Sequence, residues 1–259
     1  MKFLFSEIAL FQAVFLRSII TVPPVLLMVW VTKVTLRNLA KQDIRLIWLR
    51  VGAEICTTVA FLTALKYMPL ANVTAILQAL PLAVTMAAAL FLAEPIGWRR
   101  WSAILVGFVG VLIVVRPGLD GFNVYSLSAL AAIIFITVRE IATRKLAQEV
   151  PTITVVLSTA IGSAVFAGIM MVGAEWHAVS TSSWLLLIGA AFAVLIATLL
   201  SVMAMRTGEI GFVSPFRYTS MIGAIGLGIL MFGEWPDQPT LAGTLIIVIT
   251  GIYTFHREQ

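Results

Sequence analysis

Nine long apolar stretches dominate this chain, and they restrict the kinds of fold that it can adopt. A helix that crosses the roughly 30 Å hydrocarbon core of a bilayer needs about 20 apolar residues, and most of the stretches reach that length. Backbone groups in lipid must be hydrogen-bonded within their own segment, so each stretch predicts a helix. The stretches are 11–31, 46–65, 70–92, 98–115, 124–143, 152–174, 183–205, 210–232 and 239–255.

The composition also indicates a chain that is solvated by lipid. Of its 259 residues 61% are hydrophobic and 11% are charged, whereas a soluble domain has about 25% charged residues. The net charge of +5 comes without a basic patch or a nucleic-acid-binding signature, so we exclude nucleic acid as a partner. The predicted fold class is an all-α polytopic membrane protein with nine transmembrane helices.

The distribution of basic residues predicts which loops face the cytoplasm. With the 33–45 loop placed inside, the other face holds only Lys2, Lys66 and Arg116. This asymmetry follows the positive-inside rule. It predicts a multi-pass protein of the inner (plasma) membrane with a cytoplasmic carboxyl terminus. The cytoplasmic side then carries Lys33, Arg37, Lys41, Arg45, Arg99, Arg100, Arg144, Lys145, Arg206 and Arg257.

A weak internal repeat relates the two halves of the chain at an offset of 140 residues, the separation of Glu94 and Glu234. The same offset pairs Lys66 with Arg206, and it repeats a helix, a basic turn, a helix, a glutamate turn and a short helix. The second copy has five helices and the first has four. Five helices per copy would give repeats of opposite topology, as in many secondary transporters. The pattern therefore predicts that the first helix is missing, through truncation or a misassigned start.

Several motifs resemble one family. They are FLRS (15–18), EPIGWRRWSAILVGFVGVLIVVRPG (94–118), REIATRKL (139–146) and FRYTSMIGAIGLGILMFGEWPDQPTLAGTLIIVITGIYTFHRE (216–258). They are similar to segments of EamA-type transporters of the drug/metabolite transporter superfamily. The resemblance implies a ten-helix fold of two inverted five-helix repeats, here 1–118 and 119–259, with a substrate cavity between the halves.

Arg217 is the most unusual charged residue, because it lies about 10 Å into an apolar run at 1.5 Å per residue. A charge at such a depth costs at least ~2.5–3.5 kcal/mol unless it faces a wet cavity or the bundle interior. Two accounts remain open: a cation in the substrate cavity, or a side chain that extends back to the surface. Tyr218 adds a ring and a hydroxyl beside it, and we expect both residues to bind substrate.

Three further polar residues are candidates for substrate binding. Glu54 has Arg50 one helical turn earlier, so a structural ion pair is as plausible as a substrate or proton role. Gln78, near Pro81, serves either as an interhelical hydrogen-bonding group or as a substrate contact. Arg139 is expected to be left without a local partner if Glu140 pairs with Arg144.

Arg17 lies near the outer end of its helix, where its side chain could reach the interface, so it is a weaker candidate for the cavity. Other residues are expected to be structural. Ala103, Gly107, Gly110 and Val111 form a small-residue face suited to close helix packing. Glu94 and Glu234 are expected to stabilise equivalent turns. No metal-ligand cluster, cofactor motif or catalytic constellation is found in the sequence.

The predicted function is secondary transport of a small organic metabolite, such as an amino acid, vitamin, nucleoside or adenosylated cofactor, by alternating access. ATP hydrolysis is not expected, because no GxxxxGK[ST] motif is present. Two alternatives remain: an inactive or scaffold membrane remnant and, less favoured, a membrane-embedded enzyme. Substrate identity, transport direction, coupling ion and oligomeric state are left open, with a homodimer among the possible assemblies.

Overall fold

The computed structural model describes residues 7–33, 39–92, 97–118, 123–207 and 219–256. Within these ranges the regular structure is helical, and no β-strand is present. The helices are α1 (Leu10–Thr32), α2 (Lys41–Tyr67), α3 (Leu70–Leu77), α4 (Leu80–Phe91), α5 (Trp98–Val115), α6 (Ser126–Arg144), α7 (Thr152–Met170), α8 (Thr181–Thr207), α9 (Thr219–Phe232) and α10 (Gln238–His256).

Seven helical spans of the described chain are long and apolar enough to cross a membrane, with α3 and α4 together forming one of them. The shorter α9 and α10 are also apolar. Large aliphatic side chains such as Leu105, Val109 and Leu112 project from α5 with more than half of their surface exposed. An apolar exterior of this kind suits lipid. The prediction of an all-α polytopic membrane protein is confirmed.

The span predicted over 70–92 is interrupted in its middle. Helix α3 ends at Leu77 and α4 begins at Leu80, with Gln78 and Ala79 forming a turn between them. Pro81 lies in the first turn of α4 and has no N–H group, so it cannot donate to the carbonyl of Leu77. The turn is closed instead by the Ala79 N–H, which donates to the Ile76 carbonyl at 3.1 Å.

Helix boundaries follow the offset of 140 residues that separates Glu94 from Glu234. Shifted by that amount, α2 covers 181–207, which are the bounds of α8. Helix α5 shifts onto 238–255, nearly the whole of α10. The repeat inferred from a few residues is therefore also present in the lengths and spacing of the helices.

The chain forms two compact units, and each combines helices from both repeats. Unit 1 contains Met1–Ile55 and Ala142–Thr207, and unit 2 contains Cys56–Ile141 and Gly208–Gln259. Helices α2 and α6 contribute residues to both units.

Unit 1 is organised around α1 and α7, which run antiparallel and pack closely. The ring of Phe11 meets that of Phe166 edge to face, with centroids 6.2 Å apart. Towards the other end, Val25 joins Val155 and Leu195 in an aliphatic core. These two helices are partners under the repeat offset, so equivalent segments face each other.

Unit 2 shows the same relationship between α5 and α10. A Cβ atom added at Gly110 would lie 2.8 Å from the Gly243 carbonyl oxygen, and one added at Gly243 would lie 2.6 Å from the Gly110 carbonyl oxygen. A Cβ at Gly107 would meet the hydroxyl of Thr250 at 2.9 Å. The order of these contacts makes the helices antiparallel. The predicted small-residue face is thus confirmed as a tight packing surface.

Residues predicted to share a membrane face contact one another within each unit. In unit 2, Arg116 bonds to Asp237, and Asn123 donates to the Tyr67 carbonyl at 3.1 Å. In unit 1, the Ala147 N–H donates to the Asp43 carboxylate at 3.1 Å. The residues named in unit 2 belong to the predicted outer side of the membrane, and those named in unit 1 belong to the predicted cytoplasmic side.

Candidate functional site

A small polar cavity lies inside unit 1, where α1, α2, α7 and α8 meet. Its volume is about 30 Å³. We call it the Arg17–Glu54 cavity, after the two charged residues in its wall. Its polar lining is Arg17, Ser18, Thr21, Glu54, Thr159, Ser163 and Thr198, and its aliphatic lining is Val156, Ala160, Val194 and Leu195.

Arg17 is buried, with 9% of its surface exposed, and it interacts electrostatically with Glu54. Arg17, the weaker candidate in the sequence, therefore lines a cavity and does not extend to the membrane interface. The sequence could not show that the partly buried carboxylate of Glu54 on α2 lies beside it. An opposite charge offsets part of the cost of removing each group from water.

Ser18 provides an independent sign that the cavity is polar. Its residue is 3% exposed, and its hydroxyl oxygen has no hydrogen-bond partner within the described part of the chain. Buried hydroxyl groups are normally paired, with protein or with ordered water. A water needs about 10–15 Å³ of such space, so this cavity has room for about two.

Arg50 lies next to the same wall and is almost fully buried, with 2% exposed. Its Nε atom donates to the Thr143 hydroxyl at 3.0 Å, and its Nη1 atom donates to the Thr159 hydroxyl. Thr159 in turn donates to the Val155 carbonyl at 2.8 Å. This hydroxyl therefore connects the Arg17–Glu54 cavity to Arg50. The predicted Arg50–Glu54 pair remains a prediction.

Gln78 occupies the turn between α3 and α4 in unit 2 and is 2% exposed. Its Nε2 atom lies 3.3 Å from the Ser220 hydroxyl, within donating distance. This contact joins the interrupted span to α9. The predicted substrate ligands Arg217 and Tyr218 lie just before Ser220 but outside the described residues.

Arg139 pairs with its neighbour in sequence. Its Nη2 atom lies 3.5 Å from Glu140 Oε1, and the side chain of Glu140 is 2% exposed. The expectation that Arg139 lacks a local partner is wrong, because an arginine is long enough to fold back towards an adjacent carboxylate. Arg144 donates to the Met205 carbonyl at 3.2 Å, and its predicted pairing with Glu140 remains a prediction.

Carboxylates also organise the predicted outer ends of the helices. The hydroxyl groups of Ser183 and Ser180 both donate hydrogen bonds to the Glu7 carboxylate. The bond from Ser183 has the larger effect, and together they lower the pKa of the Glu7 carboxyl group. In unit 2, partial burial raises the pKa of Asp237, but hydrogen bonds from Arg116 and Thr240 outweigh that effect. The pKa of Asp237 therefore lies below its ordinary value.

Glu234 has a structural role, but its carboxylate binds the start of α3, whereas the repeat predicts that it stabilises its own turn. Its Oε2 atom accepts a hydrogen bond of 2.8 Å from the N–H of Leu70, the first residue of α3. A carboxylate at a helix amino terminus also interacts favourably with the helix dipole. The equivalent residue, Glu94, lies outside the described ranges.

Arg206 holds the turn between α6 and α7. Its guanidinium group donates to the carbonyls of Ala147 at 3.0 Å and Gln148 at 2.8 Å, and also to that of Val150. A further bond of 3.2 Å reaches the Thr152 hydroxyl. The sequence predicts only a topology anchor, whereas the structure gives this residue a packing role as well.

Of the five predicted site residues, Glu54 belongs to unit 1, and Gln78 and Arg139 belong to unit 2. Arg217 and Tyr218 lie outside the described residues. Sequence reasoning missed the association of Arg17 and Ser18 with Glu54, although a basic residue and a serine inside the apolar run 11–31 were the available signal. Within the described ranges, no three His, Cys, Asp or Glu residues are grouped so as to hold a metal ion.

Comparison with known proteins identifies one family. The sequence profile of the EamA-like transporter family matches residues 1–116 and 124–255. A riboflavin transporter of Vibrio cholerae is 30% identical over 204 residues, which are 78% of this chain and 68% of the relative. An S-adenosylmethionine uptake transporter of Rickettsia conorii is 25% identical over 75% of this chain and 66% of its own length.

Two further proteins are also similar to this chain. A pseudopaline exporter, CntI, of Pseudomonas aeruginosa is 25% identical over 83% of this chain and 76% of its own length. A protein of known crystal structure has a TM-score of 0.70 over 94% of this chain and 88% of its own, at 19% identity, which supports the fold alone. The matches to the riboflavin and S-adenosylmethionine transporters span about two-thirds of those relatives.

Proposed function

Because this chain belongs to the EamA-like transporter family, we propose that it is a secondary transporter that carries a small organic metabolite across the plasma membrane by alternating access. Its similarity to transporters also agrees with the prediction that it is not an enzyme. The main structural support is the antiparallel packing of repeat-equivalent helices, α5 with α10 and α1 with α7. Folds built from inverted repeats are a common basis of alternating access, in which one bundle of helices rocks against another.

The substrate class in this proposal is a vitamin, a nucleoside, an amino acid or an adenosylated cofactor. Relatives named for riboflavin and S-adenosylmethionine support it, and both of those molecules combine a flat heterocycle with polar groups. The proposed substrate-binding residues are Arg217, Tyr218, Gln78 and Arg139, and Glu54 is proposed to bind either substrate or a proton.

We place the protein in the inner membrane with its carboxyl terminus in the cytoplasm. The positive-inside asymmetry supports this orientation. The proposed repeats are 1–118 and 119–259, which approximate the two segments that match the family profile. The proposal allows a homodimer as the assembly. Sedimentation of the detergent-solubilised chain measures whether it is a monomer or a dimer.

Counterflow in proteoliposomes tests the proposal. The full chain is reconstituted, loaded with one unlabelled metabolite at a time, and supplied with the same labelled metabolite outside. The panel comprises riboflavin, S-adenosylmethionine, nucleosides and amino acids. Accumulation that depends on internal unlabelled substrate establishes a carrier. A folded preparation that accumulates no member of the panel contradicts the proposed substrate classes and favours the scaffold alternative.

The role of Arg217 has its own matched pair of variants. Arg217→Ala is expected to abolish counterflow or change the preferred substrate, because it removes the proposed cation of the cavity. Arg99→Ala removes an exposed charge at the start of α5 and is expected to have little effect. Both variants are first checked for normal membrane insertion. Unchanged counterflow in Arg217→Ala would mean that its side chain extends to the surface.

A further inference from the structure

The Arg17–Glu54 cavity is built for a species much smaller than an organic metabolite. About 30 Å³ accommodates about two waters. The Ser18 hydroxyl has no hydrogen-bond partner among the described residues, and a water would satisfy it, because a buried hydroxyl without a hydrogen bond is unfavourable. In this conformation, Glu54 is therefore within reach of water and protons, while the cavity leaves no room for a riboflavin-sized molecule.

We infer that the Arg17–Glu54 cavity is a hydrated proton-binding site, in which Glu54 takes up and releases the proton that drives transport. This inference rests on the proposed transport function for its biological role, although proton binding itself can be measured without substrate. The proton comes from water on one side of the membrane and forms an O–H bond on the Glu54 carboxylate. It returns to water on the other side when that bond breaks, so no other reactant is consumed.

Two cations lie near Glu54, and they favour its carboxylate form and so favour the release of a bound proton. Arg17 on α1 stabilises the carboxylate form through its positive charge. Arg50, one turn earlier on α2, is engaged by hydroxyl groups of α6 and α7. Helices α7 and α8 contribute hydroxyl and aliphatic side chains to the wall but no charged one. On α6, Glu140 lies one turn before the threonine that contacts Arg50.

A metal cation fits this wall less well than a proton. Carboxylate and hydroxyl oxygens are suitable ligands for a hard cation. However, the buried guanidinium of Arg17 lies at the same cavity, and Arg50 adjoins it. Two positive charges near one carboxylate oppose a third. The same charges also oppose a proton, but a proton needs no coordination shell and leaves a neutral carboxyl group once its O–H bond has formed.

The first test measures proton binding directly, without any substrate. Infrared difference spectra of the full chain in lipid are recorded during a step from neutral to acidic pH and back. We expect a reversible carbonyl stretch from protonated Glu54 that is absent in Glu54→Gln and present in Glu175→Gln, the matched change at an exposed carboxylate. An identical band in wild type and Glu54→Gln would overturn the inference.

The second test measures coupling. Proteoliposomes carry an imposed pH gradient, and uptake of riboflavin or S-adenosylmethionine, whichever exchanges, is divided by the counterflow rate of the same preparation. In Glu54→Gln we expect this ratio to fall to its value without a gradient and to lose its dependence on pH. Glu54→Asp, which keeps the carboxyl group, should retain a pH-dependent ratio and serves if Glu54→Gln fails to insert.

The two tests separate the possible failures. A wild-type ratio that ignores the pH gradient, or a Glu54→Gln ratio that still follows it, contradicts proton coupling at Glu54. A sodium gradient that drives uptake in place of the pH gradient does the same. If no metabolite exchanges at all, the proposed substrate classes fail, while the infrared band still decides whether Glu54 binds a proton.

Discussion

Arg116 and Asp237 form an ion pair that links the carboxyl end of α5 to the amino end of α10. The same carboxylate accepts a hydrogen bond of 3.0 Å from the N–H of Thr240 in the first turn of α10. It therefore serves both as the ionic partner of one helix and as the cap of the next. This arrangement holds together the two ends of the most tightly packed helix pair in unit 2.

This ion pair predicts a defined dependence of stability on pH. The pKa of Asp237 is lowered in the folded protein, so the carboxylate stabilises the fold above its ordinary pKa. The contribution starts to decline as pH falls below about 4, where the unfolded chain takes up a proton, and it is lost once pH has fallen through the lowered pKa of the folded carboxylate. We expect Asp237→Asn to lower the melting temperature at neutral pH and to match wild type in strong acid. A constant difference at every pH would contradict this account.

The reciprocal glycine contact predicts sensitivity to a single methyl group. Gly110→Ala or Gly243→Ala places Cβ less than 3 Å from a carbonyl oxygen of the facing helix. Overpacking of this kind typically costs about 1–3 kcal/mol. Gly189→Ala is the matched control, because its Cβ would have nothing within 4 Å. Thermal unfolding in detergent should therefore separate the first two variants from the third.

The bonds of Arg206 predict a structural rather than a transport defect. Loss of the guanidinium leaves the carbonyls of the α6–α7 turn without their charged donor. Hydrogen bonds that involve a charged group contribute about 1.5–3 kcal/mol, and partial exposure places this one towards the lower end. Arg206→Gln should lower the unfolding temperature, and the exposed Arg99→Gln should not. If both variants lowered the unfolding temperature equally, Arg206 would act only through its cytoplasmic positive charge and not through these hydrogen bonds.

The orientation is testable with single cysteines. Cys56 is exposed and is first replaced by alanine. Ala178→Cys lies in the exposed segment before α8, on the predicted outer side, and Glu149→Cys lies at the predicted cytoplasmic turn. A membrane-impermeant maleimide added to intact cells should label the first variant only. Both variants should be labelled after the cells are permeabilised. Labelling of Glu149→Cys but not Ala178→Cys in intact cells would show that the topology is the opposite of the one predicted.

Apolar length and the repeat predict most of the described fold. The observed bounds of α2, shifted by the repeat offset of 140 residues, coincide with those of α8. The interruption at Gln78 was not predicted, although Pro81 was visible in the sequence. A proline within an apolar run either bends the helix or starts a new one, and packing decides which.

The site was harder to predict because its contacts join distant residues. Arg17 and Glu54 come from different helices, and no spacing rule relates them. Arg139 was misjudged for the opposite reason, since helix-face arguments ignore how far a long side chain can bend towards its neighbour. Interhelical hydrogen bonding was one of the two interpretations of Gln78, but its partner Ser220 could not be named because it depends on tertiary packing.

The antiparallel contact between α5 and α10 joins two segments that correspond under the repeat offset. A surface that meets a copy of itself is isologous, as in a two-fold symmetric dimer. A protein consisting of one repeat would already carry both sides of this contact, provided that its two copies were inserted in opposite orientations. The packing of unit 2 is therefore equivalent to a dimer interface enclosed within one chain. Because α5 and α10 are separate segments of that chain, a residue of one can differ from its counterpart in the other.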